Sequence, residues 1–401
     1  MAAEKSSSRS WMSDAAIYQV YPRSFKDSTG SGLGDIAGIT QQMDYLERLG
    51  IEAIWLSPFY PSPLVDGGYD VADYCDVDPR LGSLDDFDDM IAAAHARGIR
   101  IIGQESREIA AQRFAALGLK VSFGSNTTDE NWDMTGSSPI EDRIADIHEA
   151  FADKNVKAVF TIIGGANSNQ LLPYLDYELI KANPKIFCGF SDITALLNGI
   201  YAMTGLETYS GPHYSSFGMK HGFDYTLENM RKMLMGSGVN EVEPSEEWSD
   251  DPWFINQEKR EFIKNEGYWN IHNGEAEGTI VGGNLGTFDL LLGTKYRPAF
   301  VKDTILFAED TEGSDLLQFE RNLQALIYQP DFANVKGLVF GRFQKGSKIS
   351  REQLEFIVST KRELKNLPII GNVDFGHSTP LLTIPIGGTA KLGNGRLTLK
   401  D

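Results

Sequence analysis

The sequence predicts an α/β protein in which a domain built on a parallel sheet precedes a smaller C-terminal α/β domain. Between residues 103 and 209, short apolar segments alternate with segments of helical periodicity, which is typical of a parallel sheet covered by helices. Beyond Gly278, short strand-like segments, glycine-rich turns and a helical stretch at 316–328 indicate the second domain. Parallel sheets bind ligands at the carboxyl ends of their strands, so functional residues are expected there.

The individual elements follow from the spacing of apolar residues. Helices are predicted at residues 38–49, 84–97, 105–117 and 140–152. One strand is predicted to open at Ala16, and further strands are predicted at 51–56, 99–102, 119–123, 158–163 and 185–188. Strands and helices thus alternate both in the first hundred residues and in the segment that follows.

Composition narrows the functional classes. The 401 residues carry a formal net charge of −19, which argues against a nucleic acid as partner because phosphate contacts require clustered Lys and Arg. Two cysteines, Cys75 and Cys188, are too few for a disulfide framework and favour a reducing compartment. The polar N-terminus lacks the apolar core of a signal peptide, and no run of about 18 apolar residues occurs. We therefore expect a cytoplasmic protein without a membrane partner.

A serine lies at the end of one predicted strand. Ser191 follows the apolar run 185–188 and Gly189, and apolar residues at helical spacing begin directly after it. A serine on a sharp strand-to-helix turn projects its hydroxyl beside the first amides of the helix, as nucleophilic hydrolases require. The alternative is that Ser191 only caps the helix, with Asp192 favouring the helix start. Local sequence alone favours that alternative.

Two distant segments favour the catalytic interpretation. An apolar strand ends in Glu309 and Asp310, and His377 follows a glycine after another apolar run. A serine nucleophile needs a base that titrates near neutrality, and a histidine held by a buried carboxylate supplies it. Ser191, Glu309 and His377 are therefore the candidate catalytic residues, and Asp310 and Glu312 are lower-ranked carboxylates. The alternative bases, none of which follows a comparable glycine-led strand end, are His213, His221 and His272.

Eight segments match one known family in its order: Ile162–Asn169, Leu171–Tyr177, Asn183–Lys185, Gly189–Leu196, Gly282–Leu285, Leu306–Asp310, Gly376–His377 and Pro385–Gly387. Together they resemble the serine LD-carboxypeptidases and their relatives, the microcin C immunity carboxypeptidases, over about residues 103–401. The resemblance implies that Ser191 is the nucleophile, His377 the general base and Glu309 its orienting partner.

The substrate is expected to bind around these residues. The turn at Gly164 and Gly165 is predicted at the same sheet edge as Ser191, and the amides of Gly165 and Asp192 are expected to form the oxyanion hole. A pair of ordinary turn glycines is an equal alternative. Gly164 and Asn284, both within the matching segments, are candidate substrate-binding residues.

The segment 211–274 is rich in aromatic and acidic residues. It resembles the loop that the immunity branch uses against the nucleotide part of its substrate. An exposed tryptophan there would stack on a planar ligand group. Trp253 is the first candidate and Trp248 the second, and each is equally well explained as an anchor in the core.

The first hundred residues have a different likeness, carried by the segments Gly34–Asp35, Ile54–Pro63 and Gly67–Tyr74. They resemble the opening of the α-amylase and α-glucosidase barrel, and the likeness stops near Gly103. It implies a partial (β/α)-barrel fragment in which Tyr69 and Asp70 match a sugar-pocket motif. A glycosidase needs two carboxylates that flank the scissile bond. In that family they come from later strands, so no glycosidase activity is expected.

No metal or cofactor is predicted. No ligand pattern such as His-Glu-x-x-His occurs. The loop from Asp27 to Asp35 has a calcium-like spacing, but Thr29 and Ser31 stand where amide and carboxylate oxygens are expected. Hard cations favour charged oxygens, so an exposed turn without metal is the favoured interpretation.

The strand at 99–102 is expected to replace the first strand of the carboxypeptidase sheet, with 119–123 as the next strand. Buried parallel strands require mainly β-branched apolar residues, so such a replacement is feasible. The predicted domains are a truncated α-glucosidase-like fragment, a nucleophile domain, an aromatic substrate-loop region, and a C-terminal domain with the Glu and His, at 1–102, 103–213, 214–274 and 275–401.

The sequence thus favours a serine carboxypeptidase that hydrolyses a peptide-type bond by acyl transfer to Ser191. The immunity enzymes that cleave peptidyl-nucleotides are the nearest match, and a murein LD-carboxypeptidase that releases terminal D-alanine is the alternative. The expected partner is a small peptide, peptidyl-nucleotide or muropeptide, and a homodimer is left open. An interpretation of another class is an inactive fusion, because three barrel strands cannot close and leave an open edge.

Overall fold

The computed structural model describes residues 16–62, 77–101, 105–127, 137–236, 239–254, 257 and 259–400. The sugar-pocket motif with Tyr69 and Asp70, Cys75, and the predicted seam at residues 102–103 lie outside these described residues. The chain divides into two compact units. The N-terminal unit consists of Met1–Glu108, Ser125–Ser138 and Phe254–Asn256, and the main unit of Ile109–Gly124, Pro139–Trp253 and Gln257–Asp401.

The N-terminal unit contains an open parallel sheet. Its strands are β1 (Ile17–Val20), β2 (Ala53–Leu56) and β3 (Arg100–Ile101), paired in the order β1-β2-β3. Its helices are α1 (Pro22–Phe25), α2 (Ile36–Gln41), α3 (Met43–Arg48) and α4 (Leu84–His95). Strands and helices share one apolar core that includes Val20, Ile54 and Phe87. The expected alternation of strands and helices is present, and a barrel fragment stays a prediction because the described strands form an open sheet.

The first sheet of the main unit carries the candidate nucleophile. Its strands are β4 (Ala158–Phe160), β5 (Ile186–Gly189), β6 (Thr208–Ser210) and β15 (Ile384–Ile386). The first three run parallel, β15 is antiparallel to β6, and the order is β15-β6-β5-β4. The helices of this part of the chain are α5 (Glu105–Ala116), α6 (Ile140–Ala152), α7 (Tyr177–Ala182), α8 (Thr194–Thr204) and α9 (Asp224–Met235).

The second sheet of the main unit has eight strands. They are β7 (Val239–Val242), β10 (Trp269–His272), β11 (Glu275–Asn284), β12 (Thr304–Glu309), β13 (Val335–Gly341), β14 (Ile369–Val373), β16 (Thr389–Gly393) and β17 (Arg396–Lys400). The order is β10-β14-β13-β12-β11-β16-β17-β7, with β11 to β14 parallel. The remaining elements are the hairpin of β8 (Glu247–Trp248) and β9 (Ile263–Lys264), and the helices α10 (Leu285–Asp289), α11 (Leu316–Ile327) and α12 (Arg351–Ser359).

One apolar core joins the two sheets of the main unit. Phe187 of β5 and Leu197 of α8 belong to the same cluster of buried residues as Ile280 of β11 and Val339 of β13. A second cluster, with Phe319 of α11, contains further strand residues of the eight-stranded sheet. None of the helices in the described part of the chain is long and apolar enough to cross a membrane.

The structure corrects the expected replacement of a strand at the seam. β3 pairs with β2 in the N-terminal unit. Among the described residues, the strand of the nucleophile sheet that comes first along the chain is β4. The segment 119–123 is not a strand, and Leu119 and Phe123 are exposed. Its alternation of apolar and polar residues indicated a strand, but a strand also needs a neighbour with free hydrogen-bonding groups, which local sequence does not reveal.

The two sheets differ in size. The second sheet has eight strands and the nucleophile sheet has four, and β7 and β10 of the larger sheet come from the predicted region 214–274. The excess consists of β10, β16, β17 and β7, which add antiparallel strands around a parallel centre. The division of the chain at residues 213/214 and 274/275 stays a prediction, since both sheets belong to one compact unit.

Candidate active site

Ser191 occupies a strained turn between β5 and α8. Phe190 is still extended, Ser191 has a φ of 63°, and residues 191–193 form a short 3-10 turn that leads into α8. A left-handed backbone at a residue other than glycine costs about 1–3 kcal/mol and persists only where the surrounding fold fixes it. Gly189 has no room for a side chain beside Thr161. The turn therefore places the serine at the carboxyl end of a parallel strand.

Three side chains form a hydrogen-bonded chain at this place. Oγ of Ser191 lies 2.9 Å from Nε2 of His377, and Nδ1 of His377 lies 2.7 Å from Oε2 of Glu309. Glu309 is the last residue of β12 and is buried, whereas the His377 side chain is 17% exposed. The three residues thus come from both sheets of the main unit. Among the described residues, Glu309 rather than Asp310 or Glu312 holds the imidazole.

The charges around His377 favour its protonated form. Burial disfavours the imidazolium, but the adjacent Glu309 carboxylate, helped by Asp310 and Glu312, outweighs burial and raises the pKa of His377 above its usual value. When Glu309 accepts the Nδ1 proton, Nε2 is left as the acceptor for the hydroxyl proton of Ser191. The arrangement can therefore supply a base and stabilise the imidazolium that forms after proton transfer.

The loop that carries His377 approaches Glu309 closely. Gly376 has a φ of 112°, and a Cβ on it would lie 2.6 Å from Oε2 of Glu309. Only glycine adopts this backbone without penalty and leaves the space that the carboxylate occupies. The short distance between His377 and Glu309 therefore depends on glycine at position 376.

A buried ion pair anchors the start of the same loop. Nη1 of Arg342 lies 2.7 Å from Oδ1 of Asp374, and their side chains are 2% and 0% exposed. Asp374 also accepts hydrogen bonds from the amide and the hydroxyl of Ser245, and Nε of Arg342 donates to Oδ1 of Asn372. These extra partners offset the loss of hydration of both charges. The network fixes the backbone just before His377.

Gly164 and Gly165 lie against Ser191 and Asp192. A Cβ on Gly164 would lie 3.0 Å from Cβ of Ser191, and Gly165, with a φ of 153°, lies beside the Asp192 carboxylate. That carboxylate accepts a hydrogen bond from the Ser168 amide at 2.7 Å, and the Ser168 hydroxyl donates to the Asp192 carbonyl at 2.6 Å. The Asp192 side chain thus stabilises the turn. An oxyanion hole made by the Gly165 and Asp192 amides stays a prediction.

Asn284 ends β11 close to the start of α8. Its amide donates to Oγ1 of Thr194 at 3.0 Å, and its Oδ1 accepts from the Thr287 amide at 3.0 Å, capping α10. Its Nδ2 is buried and has no hydrogen-bond partner among the described residues. Thr194, which accepts the hydrogen bond from the Asn284 backbone amide, lies three residues after Ser191. The side-chain Nδ2 of Asn284 is therefore an unused donor in the neighbourhood of Ser191.

The two candidate tryptophans lie in different surroundings. Trp248 belongs to the β8–β9 hairpin, and the next residue, Ser249, exchanges two backbone hydrogen bonds with Thr379, two residues after His377. Trp253 packs against a small apolar cluster that is separate from the core of the two sheets. The structure thus ties the hairpin of Trp248 to the histidine loop, and the first rank of Trp253 stays a prediction.

His213, a lower-ranked candidate base, lies close to Ser191. Its Nδ1 is 2.7 Å from Oγ1 of Thr161, its ring stacks on Phe190 with centroids 4.2 Å apart, and its Nε2 faces Gly164. Burial and the charge of His377 lower the pKa of His213 to about 3. It is therefore a neutral hydrogen-bonding group beside Ser191, not a base. The one sequence signal was its place just after a parallel strand.

The described residues contain no group of three or more His, Cys, Asp or Glu side chains that could hold a metal ion. In the calcium-like loop, the Asp27 carboxylate accepts hydrogen bonds from the amides of Thr29, Gly30 and Gly32. These bonds lower the pKa of Asp27 to about 2. The carboxylate is thus used to hold the turn.

Family profiles match most of the chain. The LD-carboxypeptidase N-terminal domain matches residues 90–211, and the LD-carboxypeptidase C-terminal domain matches residues 277–392. A putative carboxypeptidase of Treponema pallidum is 47% identical over 320 residues, which cover 80% of this chain and 94% of that protein. The microcin C7 self-immunity protein MccF of Escherichia coli is 34% identical over 279 residues, which cover 67% of this chain and 80% of that protein.

Solved structures share this fold. An MccF-like protein from Bacillus anthracis has a TM-score of 0.72 at 50% identity and covers 75% of this chain and 92% of its own. MccF in complex with glutamyl sulfamoyl guanosine has a TM-score of 0.66 at 31% identity, covering 74% and 91%. The resemblance expected for residues 103–401 and the α/β fold are confirmed.

The first hundred residues match other proteins. The catalytic domain of alpha amylase matches residues 19–104. Trehalose-6-phosphate hydrolase of Escherichia coli is 59% identical over 92 residues, which are 23% of this chain and 17% of that enzyme. The two family matches overlap at residues 90–104.

Proposed function

This chain belongs to the LD-carboxypeptidase family, and on that premise we propose that it is a serine carboxypeptidase with Ser191, His377 and Glu309 as its catalytic residues. The strongest support is that these three side chains form one hydrogen-bonded chain. Ser191 and His377 meet in it although they are 186 positions apart in the sequence. A nucleophile, a base and an orienting carboxylate in this order are the geometry that acyl transfer needs.

In the proposed mechanism, Oγ of Ser191 attacks the scissile carbonyl carbon while its proton moves to Nε2 of His377. Glu309 stabilises the imidazolium, and the amides of Gly165 and Asp192 donate to the oxyanion. The carbon–nitrogen bond breaks as the imidazolium protonates the leaving amine. Water, deprotonated by His377, then hydrolyses the ester on Ser191.

A peptidyl-nucleotide is the substrate that we favour. The relative MccF is named for self-immunity to microcin C7 and has been solved with glutamyl sulfamoyl guanosine. In this chain, the Trp248 hairpin pairs with the histidine loop, which supports a site for a planar group beside the catalytic residues. The second candidate is the release of D-alanine from a muropeptide, which the family description favours.

The test measures both reactions with the full-length chain. Aspartyl sulfamoyl adenosine and a tetrapeptide that ends in D-alanine are incubated with the protein, and products are quantified by mass spectrometry. We expect the nucleotide compound to be cleaved faster, with a transient acyl adduct on Ser191. Cleavage of neither compound by well-folded protein would overturn the proposal and favour an inactive fusion. Faster release of D-alanine would favour the second candidate.

A further inference from the structure

A cleft next to the catalytic carboxylate has no part in the mechanism above. It has a volume of about 520 Å³ and is lined by residues of α10, of α11 and of the loop after β12. The polar side chains that line it are Asp289, Asp310, Thr311, Ser314, Gln318 and Asn322. Asp310 directly follows Glu309, and the lining residue Gly286 lies beside Asn284. The cleft therefore adjoins both the triad and a candidate substrate-binding residue.

Three oxygen atoms in this cleft can accept a further hydrogen bond. Oδ1 of Asp289 and Oδ2 of Asp310 are buried and have no hydrogen-bond partner among the described residues. The Ser314 hydroxyl interacts with the Asp310 carboxylate and lowers its pKa, and among the described residues its oxygen accepts no hydrogen bond. Asp310 is 5% exposed and Ser314 is 7% exposed. Buried polar atoms without a partner are destabilising, and native proteins contain few of them. Two unpaired carboxylate oxygens next to the Ser314 hydroxyl indicate that the cleft is built to receive a donor.

The charge of the cleft shows which kind of donor fits. Burial and the nearby charge of Asp310 raise the pKa of Asp289 to about 7, and burial also raises the pKa of Asp310. In the described part of the chain, no Lys or Arg side chain contributes to the electrostatics of Asp289. Asp310 is also near the charge of His377, which lowers its pKa, but the nearby charge that acts on Asp289 is the like charge of Asp310. A cation between the two carboxylates would remove their repulsion.

We propose that the cleft formed by Asp289, Asp310 and Ser314 binds a primary ammonium group of the substrate. An ammonium group has three donors and no acceptor, which matches the three oxygen atoms that can accept a hydrogen bond. A divalent metal fits less well, because hard cations favour several charged oxygens and the described residues provide no group of three ligands. This inference rests on the proposed function, since it assigns to that reaction a preference for substrates with a free amino group.

The ammonium group has two chemical sources in such substrates. It is either the α-ammonium of the residue that forms the acyl-enzyme or the side-chain ammonium of a diamino acid. Two matched pairs of compounds separate them. One pair is aspartyl sulfamoyl adenosine and its N-acetyl derivative, and the other is a D-alanine tetrapeptide with lysine or acetyl-lysine at the third position.

The experiment compares kcat/KM within each pair for three full-length proteins. For the wild type we expect one pair to show a preference of about 10- to 100-fold for the free amine, as for hydrogen bonds to a charged group. In Asp289→Asn we expect most of this preference to be lost, because the partly exposed Asp289 can be changed without removing a core residue. Glu312→Gln is the matched control: it removes a charge near His377 but does not line the cleft, so the preference should persist.

Binding to Ser191→Ala, measured by calorimetry with the same pairs, provides a second measure that does not depend on turnover. If the wild type cleaves the free and the acetylated compounds at equal rates, the ammonium site is contradicted, whereas the proposed carboxypeptidase activity is not. The ammonium site is also contradicted if Asp289→Asn has the same melting temperature as the wild type and keeps the full preference for the free amine. If neither compound is cleaved, the proposed function is wrong. In that case the ammonium site is tested by binding alone, and equal affinities of Ser191→Ala for both members of each pair would contradict it.

Discussion

Ser57 and Ser191 each lie just after the carboxyl end of a parallel strand, one in each unit. Ser57 directly follows β2 of the N-terminal unit, and Ser191 follows β5 of the main unit. The Ser57 amide continues the strand by donating to the Val20 carbonyl, and its Oγ accepts a hydrogen bond from Nε2 of Gln19. Ser191 instead has a left-handed backbone and a hydroxyl 2.9 Å from an imidazole. The same place in a sheet thus has two different chemical environments.

Both serines lie at the end of a parallel strand, but the group that can take up a serine proton comes from another segment of the chain. The carboxamide of Gln19 cannot accept a proton from a serine, whereas the neutral imidazole of His377 can. In the main unit a second strand end provides Glu309 and a loop provides His377. In the described part of the N-terminal unit, Ser57 has no such partners.

The two serines should differ most when each is replaced by alanine. Ser191→Ala should lower kcat/KM by about 10⁴- to 10⁶-fold, because the nucleophile is lost and only binding and the oxyanion site remain. Ser57→Ala should leave kcat/KM unchanged. Both are measured on the preferred substrate, with thermal unfolding to verify the fold. An equal loss in both variants would show that the N-terminal unit takes part in catalysis.

Glu309→Gln should lower kcat by about 10²- to 10⁴-fold, since an amide does not hold the imidazole in the required tautomer. The pH profile provides a second readout. His377 must be neutral to act as base, and its raised pKa places the acid limb of kcat/KM above the ordinary histidine value of about 6.5. In the variant the charges of Asp310 and Glu312 remain, but the larger effect of Glu309 no longer opposes burial, so the limb should move to lower pH. A limb that stays in place would contradict the pairing.

Because the folded-state pKa of His377 is raised, its pairing with Glu309 also affects stability. The contribution should be fully present below the unfolded pKa of about 6.5 and be lost as the pH rises through the folded pKa. The difference in unfolding free energy between wild type and Glu309→Gln, measured by urea titration at several pH values, should therefore shrink as the pH rises.

Arg342→Met should lower the free energy of unfolding by about 3–5 kcal/mol, because it leaves the buried charge of Asp374 unpaired. It should also lower kcat/KM, since the pair anchors the histidine loop. The matched pair in the N-terminal unit is Arg23 with Asp78, also 2.7 Å apart. Arg23→Met should cost less, because Asp78 keeps Arg80 as a partner, and should not change kcat/KM. Urea titrations and kinetics of both variants test this.

The smallest expected effect concerns single glycines. Gly376→Ala should lower the free energy of unfolding by about 2 kcal/mol and reduce kcat, since the methyl group strains the backbone and displaces Glu309. Gly50 of the N-terminal unit has a φ of 73° and open space around it, so Gly50→Ala should cost about 1 kcal/mol from the backbone alone. Equal kcat values for the two variants would argue against the role assigned to Gly376.

The meeting of Ser191, Glu309 and His377 could be predicted by combining three short segments with the order of the family motifs, although the segment around Ser191 alone favoured a helix cap. A glycine and a serine between an apolar run and a helix pattern, a carboxylate at a strand end, and a glycine before a histidine are each visible in a few adjacent residues. The pairing of β3 with β2, and the lack of a partner for residues 119–123, are not local. They depend on which distant strand offers free hydrogen-bonding groups, so sequence pattern alone predicted them wrongly.

Electrostatic features were also beyond sequence. The neutral state of His213 and the raised pKa of Asp289 arise from burial by segments far away in the chain. The same holds for the ion pair of Arg342 with Asp374, whose side chains are charged residues that composition assigns to the surface. Such groups are identified only when the packing around them is known.

The apolar core common to both sheets of the main unit has a mechanical consequence. Phe187 packs in the same cluster as Ile280 and Val339, so a hinge motion that parts the serine strand from the carboxylate strand would hydrate that cluster, at about 25 cal/mol for each Å² of apolar surface. The serine strand and the carboxylate strand are therefore expected to move as one body, so that the distance between their side chains stays fixed.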